Sequence, residues 1–133
     1  MITARCGCGA VRFTSEAGPV AQVVCHCTDC QEATGAACAR IAFFKQKASR
    51  VTGDVTVRGF TAGSGKRTAR ESCTRCGTLM FDRSDGFPAL VGVMAERLDA
   101  PFRFEPACHV WTRSKRPDVV ISDGLPQHAE NLS

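Results

Sequence analysis

Apolar and polar residues follow one another along this chain in short runs, interrupted at close intervals by glycine or charged turns. Ala10–Thr14, and Val51-Thr52 running on to Asp54–Arg58, have the β-branched and aromatic content of strands bounded by turns. The segments Ala39–Phe44, Thr78–Asp82, Ala89–Met94 and His109–Arg113 share that character. Only Thr28–Thr34 predicts a helix: Thr28 can cap it, Asp29 suits its first turn and Gly35 can end it. Gly63–Gly65 predicts a turn between two extended segments. In Pro117–Ser133, Val119-Val120-Ile121 is expected to pack briefly before the chain becomes irregular. No repeat, linker or low-complexity segment divides the sequence. The pattern predicts a mainly β, small antiparallel fold with one short helix, forming a single domain over residues 1–133.

Length agrees, since 133 residues can bury one core but not two. No apolar run approaches the ~20 residues that span a bilayer, so no membrane role is expected. The start, Met-Ile-Thr-Ala-Arg-Cys, lacks a basic segment, an apolar run and a small-residue cleavage site, which predicts a cytoplasmic location and reduced thiols. The net charge of +4 is spread along the chain, apart from Lys66, Arg67, Arg70 and Arg75. Those four are expected on a solvated hairpin, and with no aromatic platform beside them nucleic-acid binding is not expected. Gly63-Ser64-Gly65-Lys66-Arg67-Thr68 fails as a phosphate-binding loop, because Phe60 holds the first glycine position and Arg67 the hydroxyl position.

The chemistry lies in the cysteines. Seven of the nine fall into Cys6-x-Cys8, Cys25-x-Cys27-x-x-Cys30 and Cys73-x-x-Cys76. An odd total leaves one over in any intramolecular disulfide scheme, and metal ligation explains the clustering better. Structural zinc takes four protein ligands and catalytic zinc commonly three, so seven divides naturally into a closed and an open site. Residues two apart in an extended segment face one side, so Cys6 and Cys8 can serve one ion. The turn Cys73-x-x-Cys76, followed by Gly77, can complete that four-thiolate structural zinc site. Cys25, Cys27 and Cys30 are then the candidate catalytic zinc ligands, and a divalent ion with three thiolates has a net charge of −1. An open position on such an ion suits a soft sulfur donor and activates a thiol. Spacing also admits closure by His26, His109 or Cys108, and a pairing of Cys73 and Cys76 with the central cluster. Cys38 is expected to be a small buried hydrophobe, as is Cys108 unless it joins a pocket with His109, and His26 is expected to point outward unless it closes the central site. Trp111 and the phenylalanines at 43, 44, 81, 87, 102 and 104 are expected in the core.

In order along the chain, these motifs resemble the glutathione-dependent formaldehyde-activating enzymes, the centromere protein V type domain. The resemblance rests on Cys6-Gly7-Cys8-Gly9-Ala10-Val11-Arg12-Phe13, Cys25-His26-Cys27-Thr28-Asp29-Cys30 with Thr34-Gly35, and Ser64-Gly65-Lys66 leading to Cys73-Thr74-Arg75-Cys76-Gly77-Thr78. It continues through Arg97-Leu98-Asp99 and His109-Val110-Trp111 to Ser114-Lys115-Arg116-Pro117. It implies an Mss4-like zinc-binding fold with two zinc ions, the structural one on Cys6, Cys8, Cys73 and Cys76 and the catalytic one on Cys25, Cys27 and Cys30. It further implies carbon–sulfur lyase-type chemistry, joining glutathione or another thiol to formaldehyde as S-hydroxymethylglutathione. Asp118 stands where the family usually has tryptophan, which bears on any aromatic wall at that point. A non-catalytic, zinc-stabilised binding module is the alternative function.

Overall fold

A computed structural model describes residues 1–131. Leu132 and Ser133, the end of the expected tail, lie outside the described residues. The first three strands are β1 (Ile2–Arg5), β2 (Arg12–Ser15) and β3 (Ala21–Cys25), followed by α1 (Thr28–Thr34). Next come β4 (Ala39–Lys45), β5 (Ser49–Thr52), β6 (Val55–Thr61) and β7 (Arg67–Cys73). The chain continues with β8 (Leu79–Ser84), β9 (Leu90–Met94) and β10 (Cys108–Val110). These form a three-stranded sheet, β1-β2-β5, and a seven-stranded sheet, β10-β3-β4-β9-β8-β7-β6. Every named strand pair is antiparallel except β10 with β3.

The larger sheet uses its two faces differently, and strand periodicity explains how. Along β4, Ala42 and Phe44 turn to one side and Ala39 and Ile41 to the other. The first side meets Ala4, Val11 and Phe13 of the small sheet and forms the main core, in which Phe13 packs on Phe44 and Phe81 at centroid separations of 5.1 and 6.0 Å. The second side carries Val23, Cys25, Cys30, Ile41 and Met94. A register shift opposite Glu71 and Ser72 leaves Met80 of β8 unpaired. That bulge lets consecutive Met80 and Phe81 both enter the main core fully buried.

The helix runs over the predicted residues, but Thr28 does not cap it. Cys27 does, its Sγ accepting from the backbone N–H of Cys30 at 3.2 Å, while Gly35 closes the other end at φ 70°. The expected strand His109–Arg113 stops at Val110, because Trp111 adopts left-handed dihedrals (φ 57°, ψ 35°) and Thr112–Ser114 form a 3-10 turn. The tail is less irregular than expected: it returns to β10, where the His109 N–H donates to Pro126 O and the His128 N–H to His109 O. The Gly63–Gly65 turn forms as predicted between β6 and β7. No helix among the described residues is long and apolar enough to cross a membrane.

Gly53, in the β5–β6 connection, has φ +99°, and a Cβ there would lie 2.2 Å from Ala10 O. Gly53→Ala is therefore expected to lower unfolding free energy by about 2 kcal/mol or more, measured by urea denaturation, because left-handed backbone strain adds to a backbone clash.

Candidate metal centres and the adjoining cleft

The predicted division of seven thiols is the one the fold assembles. Sulfurs of Cys6, Cys8, Cys73 and Cys76 lie within 4.8 Å of one another, and so do those of Cys25, Cys27 and Cys30. Cys73 and Cys76 therefore do not join the central cluster. Sulfur separations of 3.6 Å for Cys6–Cys8 and 3.8 Å for Cys8–Cys73 match the ~3.8 Å edge of a tetrahedron built on 2.3 Å zinc–sulfur bonds. They are far from the ~2.05 Å of a disulfide, and all nine cysteines are free. The donor set thus fits a divalent, thiophilic ion at the first cluster.

Local backbone geometry brings this about. The Cys6 carbonyl accepts the Gly9 N–H and the Cys73 carbonyl accepts the Gly77 N–H, so each pair sits on a tight turn; Cys6 and Cys8 do not share the extended segment expected for them, because β1 ends at Arg5. Gly9 (φ +78°) and Gly77 (φ +74°) supply the left-handed residue each turn needs. The Val11 N–H donates to Cys6 Sγ at 3.3 Å. Cys76 is held down to about 5 by hydrogen bonding from the Thr78 hydroxyl, 3.0 Å away, and from the Thr78 backbone.

The second cluster forms where β3 ends and α1 begins. Cys25 and Cys30 are buried and Cys27 is half-buried. Hydrogen bonds from Cys25 and then Cys30 draw Cys27 down to about 3, helped by the Cys30 N–H and the charge of Arg70. The same contacts push Cys25 up, with burial adding to them. For Cys30, the bond with Cys25 is outweighed by Cys27 and burial, and it rises to about 12. A cation bound here would favour the thiolate form of all three.

Among the described residues no histidine, carboxylate or further cysteine joins these three sulfurs. His26 does not point outward as expected: it is 2% exposed, and its Nε2 lies 2.8 Å from His109 Nδ1, with His109 Nε2 2.7 Å from Asp123 Oδ2. The hydrogen bond from His109 holds the Asp123 carboxyl below its usual range, and burial holds His26 down. This series of contacts fastens the tail to β10 and engages both ring nitrogens of His109 but only Nε2 of His26, whose buried Nδ1 has no partner. Cys108 is buried in β10, and Cys38 is half-buried.

A cleft of about 300 Å³ opens over the second cluster, lined by Cys25, Cys27 and Cys30. Trp111, Phe43 and Phe87, expected in the core, form part of its wall, whereas Phe44 and Phe81 are core residues. Phe102 and Phe104 pack partly buried against the main core. Asp118 stays exposed and pairs with Arg116. Arg70 departs furthest from expectation. It is 6% exposed rather than solvated; its Nη2 donates to Cys30 Sγ at 3.3 Å and its Nε lies 3.1 Å from Asp82 Oδ1, itself buried. Arg70 Nε, Arg70 Nη1 and Asp82 Oδ1 have no aligned hydrogen-bond partner. Burial pulls the guanidinium down, but Asp82 and Cys30 outweigh it and hold Arg70 up; Asp82 is raised by burial against the pull of Arg70. A guanidinium does not deprotonate in proteins, so Arg70 is a fixed positive charge beside the sulfurs.

Two cysteine clusters that could each hold a metal ion, one of four sulfurs and one of three beside a cleft, mark this mainly β protein. The chain belongs to the glutathione-dependent formaldehyde-activating enzyme family, whose model matches residues 1–114. A crystal structure of a Rhodobacter sphaeroides protein, a structural genomics target, shares the fold at a TM-score of 0.58 and 23% identity, over 75% of this chain and 90% of that one. No curated protein matches the chain.

Removing Arg70 alone strands Asp82 as a buried charge, so Arg70→Met is expected to cost about 3–5 kcal/mol. Arg70→Met with Asp82→Asn is expected to recover a large part of that loss in a denaturation double-mutant cycle.

Proposed function

We propose that the protein is a zinc-dependent carbon–sulfur lyase-type enzyme that adds a thiol, glutathione or another, to formaldehyde. The observation that carries this reading is the three-sulfur cluster lining a cleft, without a fourth ligand among the described residues. Cys6, Cys8, Cys73 and Cys76 would hold a structural zinc, and Cys25, Cys27 and Cys30 a catalytic one. When bound at the second cluster, zinc supplies Lewis acidity that lowers the pKa of an incoming thiol.

The chain's own residues account for the rest. Cys25, Cys27 and Cys30 fix where sulfur chemistry occurs, because a strand end and a helix cap hold all three. In the forward step a carbon–sulfur bond forms, the carbonyl π bond opens and the thiol proton ends on the former carbonyl oxygen; the reverse step breaks that bond. We assign Arg70 to that oxygen, since its unpartnered Nη1 belongs to a buried cation in the cleft wall. The apolar lining limits water around the reacting groups. Residues 1–133 act as one domain, and the cytoplasm supplies the reducing conditions the thiols need.

Purified protein is expected to contain two zinc ions per chain. Cys27→Ser should lose one while remaining folded, whereas Cys73→Ser should lose cooperative unfolding. With thiol and formaldehyde, adduct formation followed by NMR should exceed the uncatalysed rate and fall at least about a hundredfold in Cys27→Ser. A rate equal to the uncatalysed one would instead identify a zinc-stabilised binding module.

A further inference from the structure

The cleft's walls carry information about the thiol that the sulfurs alone do not. Val23, Ile41, Phe43, Phe60, Phe87 and Leu90 make a continuous apolar lining, with Phe87 edge-on to Phe43 at 5.1 Å. Strand alternation in β3 and β4 supplies Val23, Ile41 and Phe43 on this side, whereas β7 and β8 place Thr68, Arg70, Asp82 and Ser84 there, and Gly92 leaves room for the apolar part. A Cβ at Gly92 would lie 2.9 Å from both Ile41 Cγ2 and Phe43 Cε1. Apolar area of this kind rewards an apolar group that leaves water to cover it.

Charges in the cleft point the same way. The cationic residues lining it are Arg70 and Arg113. Arg70 faces Asp82 at 3.1 Å and Cys30 Sγ at 3.3 Å, and its remaining donor, Nη1, is the one assigned above to the reacting oxygen. Arg113 pairs with Glu130 at 3.1 Å and lies over the Trp111 ring, 5.5 Å from its centroid. Asp29 also lines the cleft, and a divalent ion with three thiolates adds a further negative charge. No surplus positive charge remains for a carboxylate, and a desolvated carboxylate without a partner is costly. Glutathione carries two carboxylates and one ammonium. The cleft, at about 300 Å³, is also at the lower end of the roughly 300–1,000 Å³ range of small-molecule sites.

We propose that the cleft selects a small thiol, or its aldehyde adduct, whose substituent is uncharged and apolar, in preference to a charged peptide thiol. This inference rests on the three-cysteine cluster being an open thiol site. The sulfur approaches Cys25, Cys27 and Cys30, and the substituent lies along Ile41, Phe43, Phe87 and Leu90.

Trp111 is the single tryptophan and lines the cleft, so its fluorescence in the zinc-loaded full chain reports binding. Phenylmethanethiol is expected to bind at least about tenfold more tightly than glutathione. Ser64 is exposed at the cleft's edge, and Ser64→Arg, which adds a cation there, should tighten glutathione about tenfold and leave phenylmethanethiol unchanged. Val57→Arg, on the exposed edge strand, should change neither. Glutathione binding as tightly as phenylmethanethiol, or a Ser64→Arg variant with unaltered glutathione affinity, overturns the inference. Phenylmethanol is the control for sulfur. If it equals phenylmethanethiol and both exceed glutathione, the apolar selection stands and the thiol-site reading fails.

Discussion

Seven sulfur atoms crowded into two small volumes impose the constraint on which the rest of this structure depends. At separations of 3.6–3.8 Å in the first cluster, two neighbouring thiolates would repel strongly, and the distances rule out covalent pairing. In the second, contacts among the three sulfurs pull Cys27 down and push Cys25 and Cys30 up. Neither arrangement is one that apolar packing alone would select. Both could hold a divalent cation, and the surrounding backbone is already bent to present the sulfurs: two glycine turns in one case, a strand end and a helix start in the other.

The larger sheet separates stability from chemistry by the two-residue period of its strands. One face is closed by the small sheet and packed with phenylalanine, methionine and valine; the opposite face holds the sulfurs, the Arg70–Asp82 pair and the cleft. Paired directly across β7 and β8, Arg70 and Asp82 point together to the second face. A buried ion pair of this kind contributes little net stability, and its position against Cys30 gives it another use: a fixed field at the sulfurs.

Much of this was legible in the sequence because it depends on local rules. Cysteine spacing suggested the two clusters without excluding a pairing of Cys73 and Cys76 with the central one, and β-former runs located β2, β4, β5, β6, β8, β9 and β10 in part or whole. The strands β1 and β3 escaped notice, and β7 was anticipated only as an unbounded extended segment after the Gly63–Gly65 turn. In β7 the sequence Arg-Thr-Ala-Arg-Glu-Ser-Cys is too polar to announce a strand, since pairing on both sides supplies what its side chains do not. The burial of Arg70 was hidden for a related reason, as its partner Asp82 lies on another strand and only register brings them together. Asp82 itself, a charge closing the apolar run Leu79-Met80-Phe81, was the one local hint. His26 and His109 could be suspected as ligands from proximity, but their mutual contact and the anchoring by Asp123 are products of the parallel β10–β3 pairing and the returning tail.

Arg70 and Cys73 sit three positions apart on β7 and so face opposite sides of the sheet, one beside each sulfur group. Deleting or inserting a single residue between them would put the guanidinium into the phenylalanine layer or carry the thiol away from its three companions. Chain length in that stretch is therefore fixed. The loop tip at residues 62–66, a few positions earlier on the same hairpin, is under no such restriction and borders the cleft. Descendants of this chain can lengthen or shorten it, reshaping the mouth of the cleft while both sulfur groups stay where they are.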